Sequence, residues 1–127
     1  MLINMILNNY PVRAPVSWYV KEGNFVSIVI DKKFSKIELL IAKFTKAPTK
    51  LTRNLDDMNS RLWVLMDGSN TIKEIIETMD KEFNERIYPA PERIILSIEQ
   101  FLDLGLVHLL TKIDEIKWSI EPIEIED

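Results

Sequence analysis

The chain is expected to fold as a single α+β domain in which a small N-terminal antiparallel sheet precedes a three-helix bundle. Three observations predict this. Residues 16–20 and 25–30 are rich in β-branched and aromatic side chains and flank Gly23-Asn24, a pair that tolerates the positive φ of a tight turn. Residues 56–104 instead carry apolar side chains at spacings of three and four, punctuated by Gly68 and Pro91. The 127 residues, 46% hydrophobic and 28% charged, supply enough apolar material for one core.

Taken in order, Tyr10-Pro11 and Ala14-Pro15 favour an extended lead-in, because the residue before a proline is pushed out of the helical region. Trp18 and Val20 on one strand, and Ile28 and Ile30 on the next, recur at period two, which predicts a hairpin with one buried face. Phe34, Ile37, Leu40, Ile41 and Phe44 then change to helical spacing, so residues 34–44 are expected to form an amphipathic helix. Pro48 breaks it, and residues 49–53 read as a short third strand.

The bundle begins with a helix over residues 56–66, whose buried stripe is expected to be Met58, Leu62, Leu65 and Met66, with Gly68 as its stop. Thr71 and Glu74 form a capping box for the second helix, which buries Ile72, Ile75, Ile76, Met79 and Phe83. Pro91 suits the first position of a third helix, where its missing N–H costs nothing. Ile94, Ile95, Ile98, Phe101 and Leu102 are its apolar face up to Gly105, and residues 106–110 read as a closing strand. Residues 1–112 thus form the domain, and residues 113–127 an acidic, strand-like tail in which Ile116, Trp118 and Ile120 alternate with polar side chains. A tail with this much Ile and Trp is expected to dock, since disordered segments are poor in both.

The net charge of -4 conceals a division along the chain: residues 32–53 hold seven Lys or Arg against one Glu, whereas residues 113–127 hold six acids against Lys117. Cysteine is absent, which excludes disulfides, thiolate nucleophiles and cysteine-ligated clusters. His108 stands alone in an apolar strand and reads as structural, and three glycines leave no phosphate loop. No catalytic residue, metal site or cofactor is expected. The N-terminal MLINMIL lacks the basic region of a secretory signal, and no later stretch reaches the roughly 18 apolar residues a membrane span needs. A cytoplasmic protein without a membrane partner is therefore expected.

The run LDDMNSRLWVLMDGSNTIKEIIETM, residues 55–79, followed by IEQFLDLGLV, residues 98–107, resembles the PqqD-like family, also called RiPP recognition elements. The resemblance rests on Leu55, Trp63, Leu65, Asp67-Gly68, Thr71-Ile72, Ile75, Phe101-Leu102 and Gly105-Leu106, and YPVRAP with the hairpin is similar to the lead-in of longer members. Asn59 and Arg61 depart from it, standing where members often carry a small and an apolar residue. The acidic tail is also outside the pattern.

The resemblance implies a winged helix-turn-helix that has no catalytic residues and acts as a peptide chaperone. Such a domain binds the leader of a ribosomally made precursor peptide and presents it to a modifying enzyme, commonly a radical SAM enzyme. The leader adds as a strand to the third strand and packs against the third helix. On this sequence the edge would be Thr49, Lys50, Leu51, Thr52 and Arg53, and the opposing wall Ile94, Ile95, Ile98 and Leu102. Lys50 and Arg53 would favour an acidic leader, although charges on an edge strand also serve simply to deter aggregation. An Ile stripe at helical spacing is in the first instance core.

Two other functions compete with this one. A winged helix can bind DNA, but residues 92–104 offer Glu92, Glu99 and Asp103 against Arg93 alone, which opposes docking on phosphate. An assembly module, with tail and edge strand pairing between copies of a homodimer, is the second. The tail itself is expected to lie on a sheet edge: either the leader edge, as an internal competitor drawn by the basic stretch, or the outside of the hairpin.

Overall fold

A computed structural model of the chain describes residues 6–31, 50–113 and 116–124. The helix expected over residues 34–44 and the strand residue Thr49 lie outside the described residues. Gly23 and Asn24 take φ of 83° and 66° and turn strand β2, Trp18–Lys21, into strand β3, Phe25–Asp31. Strand β4, Lys50–Asn54, pairs on the other side of β3, so an antiparallel sheet of order β2-β3-β4 results.

The lead-in carries more structure than its prolines predict. Tyr10–Arg13 is a strand, β1, and it pairs antiparallel with the closing strand β5, Val107–Leu110, in a separate two-stranded sheet. Pro11 occupies β1 without cost to the ladder, since a proline is tolerated where its missing N–H is not called upon. The architecture is therefore α+β with two small antiparallel sheets and three α-helices among the described residues.

Helix α1, Asp57–Leu65, starts where the Asp56 carboxylate accepts the Asn59 N–H at 2.7 Å. Its buried face differs from the expected stripe: Ser60, Leu62 and Trp63 are buried, whereas Met58 and Leu65 are only half-buried. The helix is short and sits against β3, where the Val26 N–H donates to Ser60 Oγ at 2.9 Å, and this contact rolls Trp63 inward. Helix α2, Ile72–Phe83, carries the expected capping box, with Thr71 Oγ1 accepting the Glu74 N–H at 3.1 Å and Glu74 Oε1 accepting the Thr71 N–H at 2.9 Å. A 3-10 turn, Asn84–Ile87, leads to helix α3, Ala90–Asp103, in which Pro91 stands second rather than first because Ala90 already opens the helix.

The core gathers between the three helices and the inner face of the β2-β3-β4 sheet. Trp63 is its centre, with ring centroids 6.0 Å from Trp18 and 5.6 Å from Phe101. Ile28, Val26, Ile75, Met79, Ile94 and Ile98 close around it. Val20, expected on the buried face with Trp18, is 40% exposed, bordering the open space between the hairpin tip and α1. Among the described residues no helix is long and apolar enough to cross a membrane.

The tail forms no regular strand over residues 116–124, yet it is tied to the domain by several bonds. Ile123 N–H donates to Trp18 O at 2.7 Å, Trp18 Nε1 donates to Ile120 O at 3.0 Å, and Trp118 Nε1 donates to Arg13 O at 2.7 Å. Ile116 crosses Gly68, where φ is 82° and any Cβ would collide with Ile116 Cδ1. The glycine is required twice there, for its dihedral angle and for the passage of the tail. The tail thus meets the hairpin and not the leader edge, which leaves the internal-competitor arrangement without support among the described residues.

Candidate peptide-binding edge

The register of β4 determines which of its backbone groups can meet a partner. Leu55 N–H donates to Val26 O at 2.9 Å, and the paired residues Ile28 and Arg53 follow two steps on. In an antiparallel ladder, bonding groups alternate between the two sides of a strand. Arg53 and Leu55 therefore direct their N–H and C=O groups inward to β3, and Thr52 and Asn54 direct theirs outward. Among the described residues no strand pairs with that outer side.

Beside the edge lies a shallow depression of about 30 Å³, lined by Arg53, Leu55 and Asn59 on one side and by Ser97, Gln100, Phe101 and Leu104 of α3 on the other. Asn59 and Ser97 also border a second shallow depression of about 50 Å³, which Asp56, Arg93 and Ile94 line as well. Arg53 and Gln100 are two side-chain donors on one concavity, and neither has an acceptor among the described residues. Arg93, by contrast, is engaged, donating to Arg86 O at 2.5 Å.

Of the residues expected at the edge and its wall, those of the edge lie on β4 and those of the wall lie in the core. Lys50, Leu51, Thr52 and Arg53 all belong to β4. Ile94, Ile95 and Ile98 are buried in the core with at most 7% exposure, and Leu102 is half-buried against it, so these four hold α3 in place and do not line the depression at the β4 edge. The residues that do face the groove, Ser97, Gln100, Phe101 and Leu104, lie on the neighbouring face of the same helix. A polar-to-apolar boundary along α3 was legible in the sequence, but which side of it turns toward β4 depends on how the helix is rolled.

A wider depression, of about 480 Å³, lies between the hairpin and α1 and is lined by Val20, Gly23, Asn24, Asp57, Ser60, Arg61 and Val64. His108 is exposed, and its ring stands edge-on to Trp118 at 5.5 Å. Among the described residues no group of three or more His, Asp or Glu could hold a metal ion.

Charges elsewhere brace the bundle. Arg61, on α1, holds Glu82 of α2 through two bonds of 2.8 Å, and this contact keeps the Glu82 carboxyl below the usual range. Asp57 is likewise lowered by its bond to Arg86, at 2.9 Å. Arg13 is the exception, being 5% exposed yet charged: burial pulls its pKa down while Asp67 and Glu121 push it up. Its guanidinium donates to Trp63 O and Val64 O at 2.8 and 2.9 Å and to Ile120 O at 3.1 Å, so it caps the C-terminus of α1 and fastens the tail in one position. Compared with family models, with curated proteins and with solved structures, the chain matches none.

Proposed function

We propose that this chain is a PqqD-like peptide-binding domain of the winged helix-turn-helix type, acting in the cytoplasm without catalysis of its own. It takes an extended segment of a precursor peptide onto the outer edge of β4 and presents the remainder to a modifying enzyme, such as a radical SAM enzyme. The observation that carries this reading is the pairing of a strand edge with a groove: Thr52 and Asn54 present main-chain groups that no described strand pairs, beside the depression against α3. Strand addition uses both parts, main-chain bonds for affinity and the groove for alternate side chains.

The element order supports the same reading, with a hairpin and third strand packed on three helices and a strand closing behind them. A DNA-binding role has less to support it, since Glu92, Glu99 and Asp103 are exposed along α3 and would face phosphate with the wrong sign.

The test is an NMR titration of labelled protein with synthetic segments of candidate precursor peptides, with a duplex DNA as control. Shifts confined to the amides of residues 52–54 and of the groove-facing side of α3 are expected. Shifts with DNA alone would overturn the proposal in favour of a regulator.

A further inference from the structure

Strand addition alone would accept almost any extended peptide, because main-chain bonds carry no sequence information. The selectivity of this edge must come from the side chains that reach the groove. A peptide strand paired with β4 alternates its side chains between the two faces of the sheet, in phase with β4 itself. The peptide residue opposite Arg53 therefore points to the same side as Arg53, into the depression against α3. Residues opposite Thr52 and Asn54 point to the other face.

Arg53 and Gln100 converge on that depression as donors without acceptors among the described residues, and Leu104, 50% exposed, borders it with apolar surface. A planar guanidinium matches a carboxylate with two parallel bonds, and an amide N–H beside it supplies a third. No carboxylate among the described residues lines the depression. Along the chain, β4 closes a stretch, residues 32–53, with seven Lys or Arg against one Glu. We infer that the β4 edge is specific for strands bearing an Asp or Glu opposite Arg53, whose carboxylate is held by Arg53 and Gln100 while its methylene groups rest on Leu104.

This inference rests on the strand-addition reading above, and the experiment separates the two. A short soluble peptide of alternating Val and Thr with one central Glu is titrated into the full chain, beside variants carrying Gln or Lys at that position. The Glu peptide is expected to bind about tenfold more tightly than the Gln peptide, as charge-assisted bonds exceed neutral ones, and to lose that margin in high salt. Arg53→Glu is expected to reverse the order and prefer the Lys peptide, and Arg53→Gln to abolish the preference; both variants alter an exposed side chain and leave the core intact. If Glu and Gln peptides bind equally while the Thr52 and Asn54 amides shift, the carboxylate specificity is wrong and strand addition stands. If no peptide moves those amides, both readings fail.

Discussion

The two edges of the β2-β3-β4 sheet are built from the same kind of backbone and have opposite fates. At the β2 edge, Trp18 O faces outward and receives the Ile123 N–H, Trp18 Nε1 and Arg13 Nε donate to Ile120 O of the tail, and the tail's Trp118 Nε1 donates to Arg13 O. At the β4 edge, Thr52 and Asn54 face outward and no described strand meets them. An exposed edge invites pairing with any other chain, and proteins ordinarily cover or charge it. Here one edge is covered by the chain's own tail and the other carries Arg53. Under the strand-addition proposal, the β4 edge is the side left open among the described residues.

The largest effect that could break this contrast is at Arg13. Arg13→Ala removes the donor shared by Trp63 O, Val64 O and Ile120 O and is expected to cost about 3 kcal/mol, the range for losing buried bonds to a charged group, read as a lower denaturation midpoint. Trp118→Ala loosens only the tail. It is expected to cost about 2 kcal/mol, to speed hydrogen exchange at residues 116–124 and to leave peptide binding at β4 unchanged. Weakened binding at β4 in that variant would show that the two edges are coupled.

A smaller effect separates both edges from the bundle behind them. Glu82 is held below the usual carboxylate range by Arg61, so the pair contributes stability above the ordinary carboxylate pKa and loses it as pH falls through the depressed value. Arg61→Ala is expected to cost less than about 1 kcal/mol at neutral pH, as both side chains are more than a third exposed, and nothing once Glu82 is protonated. A pH-dependent denaturation series checks this. The smallest effect is at Arg53 itself: Arg53→Gln is expected to change stability by under about 0.5 kcal/mol, so any loss of peptide binding would report recognition and not folding.

Much of this contrast was legible in the residues. Gly23-Asn24 announces the hairpin, Thr71 with Glu74 announces α2, and the alternation Ile116, Trp118, Ile120 announces a tail that docks. Two things were not. Tyr10-Pro11 predicts only an extended lead-in, and it becomes β1 because β5 arrives beside it from the far end of the chain. Arg13 carries no local sign that it is buried, since its three acceptors lie some fifty to more than a hundred residues away.

What the sequence determined by itself is therefore local: which segments extend, which coil, where each helix starts and which apolar faces require burial, because dihedral preference, capping and periodicity act over a few residues. What tertiary structure alone decided is which edge is covered, which face of α3 meets β4, and that Trp63 rather than Leu65 fills the centre of the core. Those outcomes depend on how packed elements roll and meet across long sequence separations, where the free energy of burial and of satisfying groups such as Arg13 is shared among residues that no local pattern links.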